Sequence, residues 1–139
     1  MTQTDFEKCV FDLVGEQKPF KPMVQYSIHG DYAEFFISDD EYYGERVDRF
    51  VTVYRSLESD EIVGSVIKDV SLLLKEIIAR FPGFCVEIRD RRVHLSHVFL
   101  AKIWSEDIEK NKLPTRIYQE LAEVVKENEL DQIEVAGIC

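Results

Sequence analysis

The chain is poor in the residues on which most recognisable chemistry rests. Its three cysteines, Cys9, Cys85 and Cys139, are odd in number, with no C-x-x-C spacing and no histidine near any of them, which argues against a disulfide framework and for a reducing compartment. Its six glycines are widely scattered. Nucleotide-cradling G-x-x-x-x-G-K-[ST] and G-x-G-x-x-G loops are therefore absent, as is a G-x-S-x-G nucleophile elbow. Basic residues are scarce too, with 17 Lys and Arg against 27 Asp and Glu and a formal net charge of -10. Nucleic-acid binders release counterions through a basic face, so a phosphate backbone is not an expected partner. No apolar run approaches the roughly 20 residues of a membrane helix, and MTQTDFEK lacks the basic start and apolar middle of a signal peptide. The expectation is a cytoplasmic protein that does not engage a membrane.

What remains is an ordinary globular composition. At 139 residues the chain suits one domain, long enough to bury roughly 70% of the surface its unfolded form exposes. A hydrophobic fraction of 45% and few Gly and Pro disfavour disorder and low complexity. The clearest unit is Arg49 to Phe81. Phe50 to Tyr54 and Ile62 to Ile67 are rich in β-branched and aromatic residues and flank an acidic reversing segment, which reads as a hairpin. Val70, Leu73, Leu74, Ile77, Ile78 and Phe81 then fall on one side of a helix that Pro82-Gly83 stops.

The other segments follow from the same rules. Thr4 to Glu7 has the spacing of a capping box, and Phe6, Val10, Leu13 and Val14 continue as a helical stripe up to Gly15. Met23 to His29 and Tyr32 to Ser38 read as strands about a tight Gly30-Asp31 turn with a positive φ at the glycine, the second strand being internal. Asp39 to Arg46 reads as a polar loop. Gly64 marks either a bulge or a close backbone approach. Phe84 to Arg89 reads as a strand, Asp90-Arg91 as a turn, and Val93 onward as another strand running to about Ile103, although Val98, Leu100, Ile103 and Trp104 also suit a buried helix. Pro114 or Thr115 opens the last helix, with Ile117, Tyr118, Leu121, Val124 and Val125 buried and Glu120, Glu123, Lys126 and Glu127 in water. Ile133 to Ile138 is a closing strand. The expected order, α-β-β-β-β-α-β-β-α-β, gives an α+β fold: one domain with a single mostly antiparallel β-sheet and helices mainly on one face.

Candidate sites are few. Asp39, Asp40 and Glu41 do not alternate around a glycine turn as calcium ligands do, and a solvated loop is the plain reading. Tyr42 and Tyr43 beside those charges are what protein-interface hot spots use, so residues 39–43 are the candidate partner-binding loop. Arg89, Arg91 and Arg92 form the one basic cluster, a candidate contact for an anion or acidic partner. His94 and His97 are the only close histidine pair. On a strand this spacing sends them to opposite faces, and only a helix would join them, so they are weak metal candidates and no cofactor is expected. Cys9 and Cys85 suit small core positions, Cys139 an exposed, oxidisable one, and Trp104 with Tyr118 the core or its edge.

Val51 to Ser71, VTVYRSLESDEIVGSVIKDVS, resembles the strand, acidic turn, E-I-V-G, strand pattern of short bacterial domains of unknown function, some linked to toxin-antitoxin loci. The resemblance covers about a sixth of the chain, supports the hairpin and implies no catalytic residue. Asp31 to Glu61 is densely acidic and opposed only by Arg46, Arg49 and Arg55. Together these make a non-enzymatic protein-protein interaction module of the inhibitor or immunity kind the first expectation. A small metal-dependent or carboxylate-based hydrolase is the alternative, and a self-associating structural protein, such as a homodimer, follows if one sheet face is too apolar for water.

Overall fold

Ile62–Ile67 is buried at every position, a pattern that a strand with neighbours on both sides and cover on both faces sustains. It is the middle strand of a five-stranded antiparallel sheet in a computed structural model that describes residues 20–84, 91–105 and 112–135. In chain order the sheet contains β1 (Met23–Ser27), β2 (Tyr32–Phe36), β3 (Tyr42–Arg46), β4 (Val51–Ser56) and β5 (Ile62–Ile67). Then come α1 (Val70–Arg80), a 3-10 turn at Pro82–Phe84, β6 (Arg92–His94), α2 (Leu95–Ser105), α3 (Lys112–Glu127) and β7 (Gln132–Glu134). The sheet order is β1-β2-β5-β4-β3, and β6 and β7 form a separate antiparallel ribbon. The chain is thus α+β, as expected. The predicted first helix, the strand beyond Phe84, and Cys9, Cys85, Arg89 and Cys139 lie outside the described residues.

Alternation along the strands separates two faces. Ala33 and Phe35 of β2, Val51 and Val53 of β4 and Ile67 of β5 join Leu73, Leu74 and Ile77 of α1 in the core. Val98 and Phe99 of α2 and Tyr118, Leu121 and Val125 of α3 complete that same core. Burying each large apolar side chain contributes about 1.5–3 kcal/mol, so this single cluster dominates stability. Gly64 serves both roles that its position allowed. The β4–β5 register shifts beside it, and a Cβ there would lie 2.3 Å from the Phe35 carbonyl oxygen.

Four expectations need correction. The polar stretch before Phe50 contains a strand, β3, whose residues are mostly exposed because, among the described residues, it pairs only with β4. A strand covered on one side needs no apolar alternation, so its sequence resembles a loop. Leu95–Ser105 is helix, not strand to Ile103. Its buried residues include Leu95, Val98, Phe99, Lys102 and Ile103, while His97, Leu100 and Trp104 are exposed at helical spacing. Third, the closing strand starts at Gln132 and pairs with β6 instead of extending the main sheet. Last, Trp104 is 70% exposed on the same side of α2 as His97 and Leu100, and Phe81 is 38% exposed just past the end of α1 at Arg80.

The expected positive φ at Gly30 belongs instead to Asp31, at 51°. A short polar side chain tolerates that conformation, and here it aims the residue at the start of α1. The Asp31 carbonyl accepts the Val70 N–H (3.0 Å), and its carboxylate accepts both the Ser71 N–H (3.1 Å) and the Ser71 hydroxyl (2.8 Å). Asp131 repeats the arrangement at α2. Its carbonyl accepts the Leu95 N–H (2.5 Å), and its carboxylate the Ser96 N–H (2.7 Å) and hydroxyl (2.9 Å). Both helices therefore start on an aspartate brought from a distant turn, which satisfies orphan donors and places negative charge at the positive end of each helix. Asp31→Ala and Asp131→Ala should each lower unfolding free energy in urea by about 1–2 kcal/mol, as lost caps do. Retained stability in either variant would show that neighbouring groups, and not these carboxylates, satisfy the helix start.

Candidate protein-binding face

Opposite the core, the sheet presents Tyr32, Glu34 and Phe36 from β2, Val66 from β5, Thr52 and Tyr54 from β4, and Tyr42 from β3. Gly64 makes room for the rings. Gly64 lies between Phe36 and Tyr54 in the register, and Gly44 lies opposite Tyr54. With no side chain in the way, Phe36 stacks on Tyr54 at 5.3 Å between centroids and 14° between planes. Tyr42 completes the cluster at 4.6 Å from Tyr54 and 5.5 Å from Phe36. The rings are ordered by one another, and Tyr42 keeps 45% of its surface exposed.

The cluster has a polar rim. The Tyr54 hydroxyl donates to Glu34 at 2.6 Å, and burial followed by that carboxylate pushes the phenol well above its ordinary pKa. Glu34 also accepts from Gln25 at 3.3 Å. A concavity of about 430 Å³ lies beside it, lined by Tyr32, Glu34, Tyr54, Val66, Lys68 and Asp69. Glu34 and Asp69 bring two carboxylates to this hollow and Lys68 one ammonium.

The predicted loop divides between this face and others. Asp39, Asp40 and Glu41 are exposed at its margin, where Asp40 accepts from the Ser56 hydroxyl (3.2 Å) and the Glu41 carbonyl accepts the Leu57 N–H (2.8 Å). Tyr42 belongs to the ring cluster. Tyr43 faces the other way, donating to Asp60 at 2.7 Å, and that hydrogen bond is the main reason its phenol pKa is raised. Arg55 lies opposite Tyr43 and binds Glu45 at 2.9 Å. Phe36, Tyr54 and Glu34 were not among the sequence candidates. The signal was present in the alternation Tyr32, Glu34, Phe36, but only the pairing of β2 and β4 with Gly64 brings those rings together.

Other predicted residues lie elsewhere. Arg91 and Arg92 are exposed at the start of the β6–β7 ribbon, where the Arg91 carbonyl accepts the Val135 N–H and Arg92 pairs in register with Glu134. His94 and His97 do meet, with ring centroids 4.7 Å apart, because the chain changes from strand to helix between them. His94 also lies 3.2 Å from the Gln132 amide. Among the described residues no group of three or more His, Cys, Asp or Glu side chains converges as a metal ion requires. No described helix is long and apolar enough to cross a membrane.

Two further surfaces bear on recognition. An acidic groove of about 390 Å³ runs between Glu120, Glu123 and Glu127 of α3 and Asp60 and Glu61 of the β4–β5 turn. Phe81, Phe84, His97, Leu100 and Trp104 line a shallow apolar groove. No protein-family model, curated protein or solved structure matches the chain.

Proposed function

We propose that this is a non-enzymatic protein-protein interaction module, of the inhibitor or immunity kind, that docks a basic partner on the outer face of its five-stranded sheet. The reading rests on the Phe36, Tyr42 and Tyr54 cluster. Its rings are held in place by their neighbours, so a partner gains contact area without paying much side-chain entropy. Around it stand Glu34 and the exposed Asp39, Asp40 and Glu41, and the whole chain has a formal net charge of -10. That charge speeds encounter with a basic surface, while the rings supply affinity after contact. The buried side chains of α1, α2 and α3 join the core on the opposite side of the sheet.

The test is NMR titration with an arginine- and leucine-containing decapeptide of net positive charge. Shifts should centre on Phe36, Tyr42, Tyr54 and Glu34, and a Tyr42→Ala/Tyr54→Ala double variant should weaken binding at least about tenfold, as loss of a hot spot does. Shifts confined to Glu120, Glu123 and Glu127, or to Leu100 and Trp104, would place recognition on a different surface.

A further inference from the structure

Among the described residues the edge of the sheet at β3 is unpaired, and its hydrogen-bonding phase can be read from its neighbours. Val47 donates its N–H to Val51 at 2.9 Å, Leu57 donates to Glu41 at 2.8 Å, and the register between them pairs Tyr43 with Arg55 and Glu45 with Val53. Residues 41, 43, 45 and 47 therefore address β4, and the alternate residues Tyr42, Gly44 and Arg46 turn their N–H and C=O groups outward. Among the described residues no strand pairs with that side.

β3 keeps some guards of an open edge, being five residues long with Glu45 and Arg46 charged, and lacks others. β3 contains no proline and no lysine, and its register with β4 runs unbroken from Tyr42 to Arg46. The opposite edge differs: β1 follows Pro22 directly and lies against β7.

We propose that a second copy of this chain adds to β3 as an antiparallel strand, about a two-fold axis through Gly44. The choice of a second copy comes from the sequence of the strand itself. In that register Tyr42 exchanges both main-chain hydrogen bonds with Arg46 of the partner subunit, and Gly44 does so with its symmetry mate. The residue at the axis is the one without a side chain. On the outer face each Arg46 guanidinium comes beside a Tyr42 ring, and on the other face Tyr43 comes opposite Glu45, twice each by symmetry. Tyr42 sits at each end of the junction, so the two ring clusters flank it on one ten-stranded sheet. This inference is independent of the basic-partner reading, since it uses the strand edge and not the ring faces.

A junction of one short strand falls below the roughly 1,200 Å² at which standard interfaces begin, so association is weak and concentration-dependent. Two chains of net charge -10 also repel each other, so added salt strengthens the dimer. Amide hydrogen exchange of the full chain, combined with sedimentation at low and high concentration, is the test. As the dimer forms, exchange at Tyr42, Gly44 and Arg46 should slow at least about tenfold, while Tyr43 and Glu45 are protected throughout. Arg46→Pro removes one outward N–H and no bond to β4, and should weaken the dimer about tenfold with the circular dichroism unchanged. A strict monomer at millimolar concentration overturns the proposal, as does a dimer whose Tyr42, Gly44 and Arg46 amides still exchange freely. So does a dimer abolished by Trp104→Ala, which would place the contact in the apolar groove.

Discussion

Replacing Gly64 by valine is expected to destabilise the protein by about 3 kcal/mol or more, within the range of severe overpacking at a buried site. A Cβ at this position meets the Phe35 carbonyl oxygen at 2.3 Å and the Phe36 ring at 3.2 Å. The first is main chain in the neighbouring strand and cannot swing aside. β5 is hydrogen-bonded on both sides, so relief requires moving β2 or β4 and breaking the ladder. Gly44→Ala is the natural control. Its Cβ meets only the Thr52 methyl, at 3.2 Å, on an edge strand, and the expected change is within about 1 kcal/mol. Urea unfolding of both variants makes the comparison, and equal losses would show that steric crowding at β5 is not what makes glycine necessary. The Gly64 substitution should also disperse the Phe36 and Tyr54 rings, visible as loss of their ring-current shifts.

Asp48→Ala should cost about 2–3 kcal/mol, at the lower end for breaking a buried ion pair, because Lys102 is buried while Asp48 keeps 23% of its side chain exposed. Asp48 sits in the β3–β4 turn and binds in several directions. One carboxylate oxygen accepts the Phe50 and Val51 N–H groups at 2.8 and 3.0 Å. The other accepts the Tyr118 hydroxyl of α3 and pairs with the Lys102 ammonium of α2 at 3.0 Å. Lys102 is only 7% exposed, and its ammonium also lies 5.2 Å from the centre of the Phe50 ring. Removing the carboxylate takes from this buried cation one ion partner, and from the sheet the clasp that holds α2 and α3 to its edge. Lys102→Met should cost less, because an apolar chain of similar length replaces the charge and Asp48 keeps its other donors.

The same residue sets a pH dependence. Burial by itself would raise the Asp48 pKa, but the Tyr118 hydroxyl, Lys102 and the Phe50 N–H outweigh it and hold the carboxyl below its ordinary value. A carboxylate depressed on folding stabilises the native state above its unfolded pKa and loses that contribution as pH falls through the folded value. Wild-type stability should therefore decline from about pH 5 downward, and Asp48→Ala should show a shallower decline over the same interval. Parallel curves for the two proteins would mean that other carboxylates govern acid unfolding.

What could be read from the residues alone followed from local periodicity. Val51–Ser56, Ile62–Ile67 and Val70–Arg80 were legible because β-branched alternation and a helical apolar stripe each repeat within a few residues. The buried stripe of α3 was legible in the same way, with Ile117, Tyr118, Leu121 and Val125 inside and Glu120, Glu123 and Glu127 outside. The net charge of -10 is a property of composition and needed no fold.

Tertiary structure decided everything that depends on residues far apart in the chain. β3 exists because β4 offers it a ladder, although Tyr42–Arg46 has no apolar alternation of its own. α2 became helix where alternation favoured a strand, since Asp131 caps its start and a buried face awaits Leu95, Val98, Phe99 and Ile103. The candidate site shows the same division. Asp39 to Tyr43 drew notice as neighbours in sequence, yet strand pleating sends Tyr42 and Tyr43 to opposite faces, and Tyr42 finds its companions in Phe36 and Tyr54. Local spacing determines which segments can become helix or strand. Pairing across the sheet determines which side chains meet, because that is settled by hydrogen bonds and packing between segments that the chain order keeps apart.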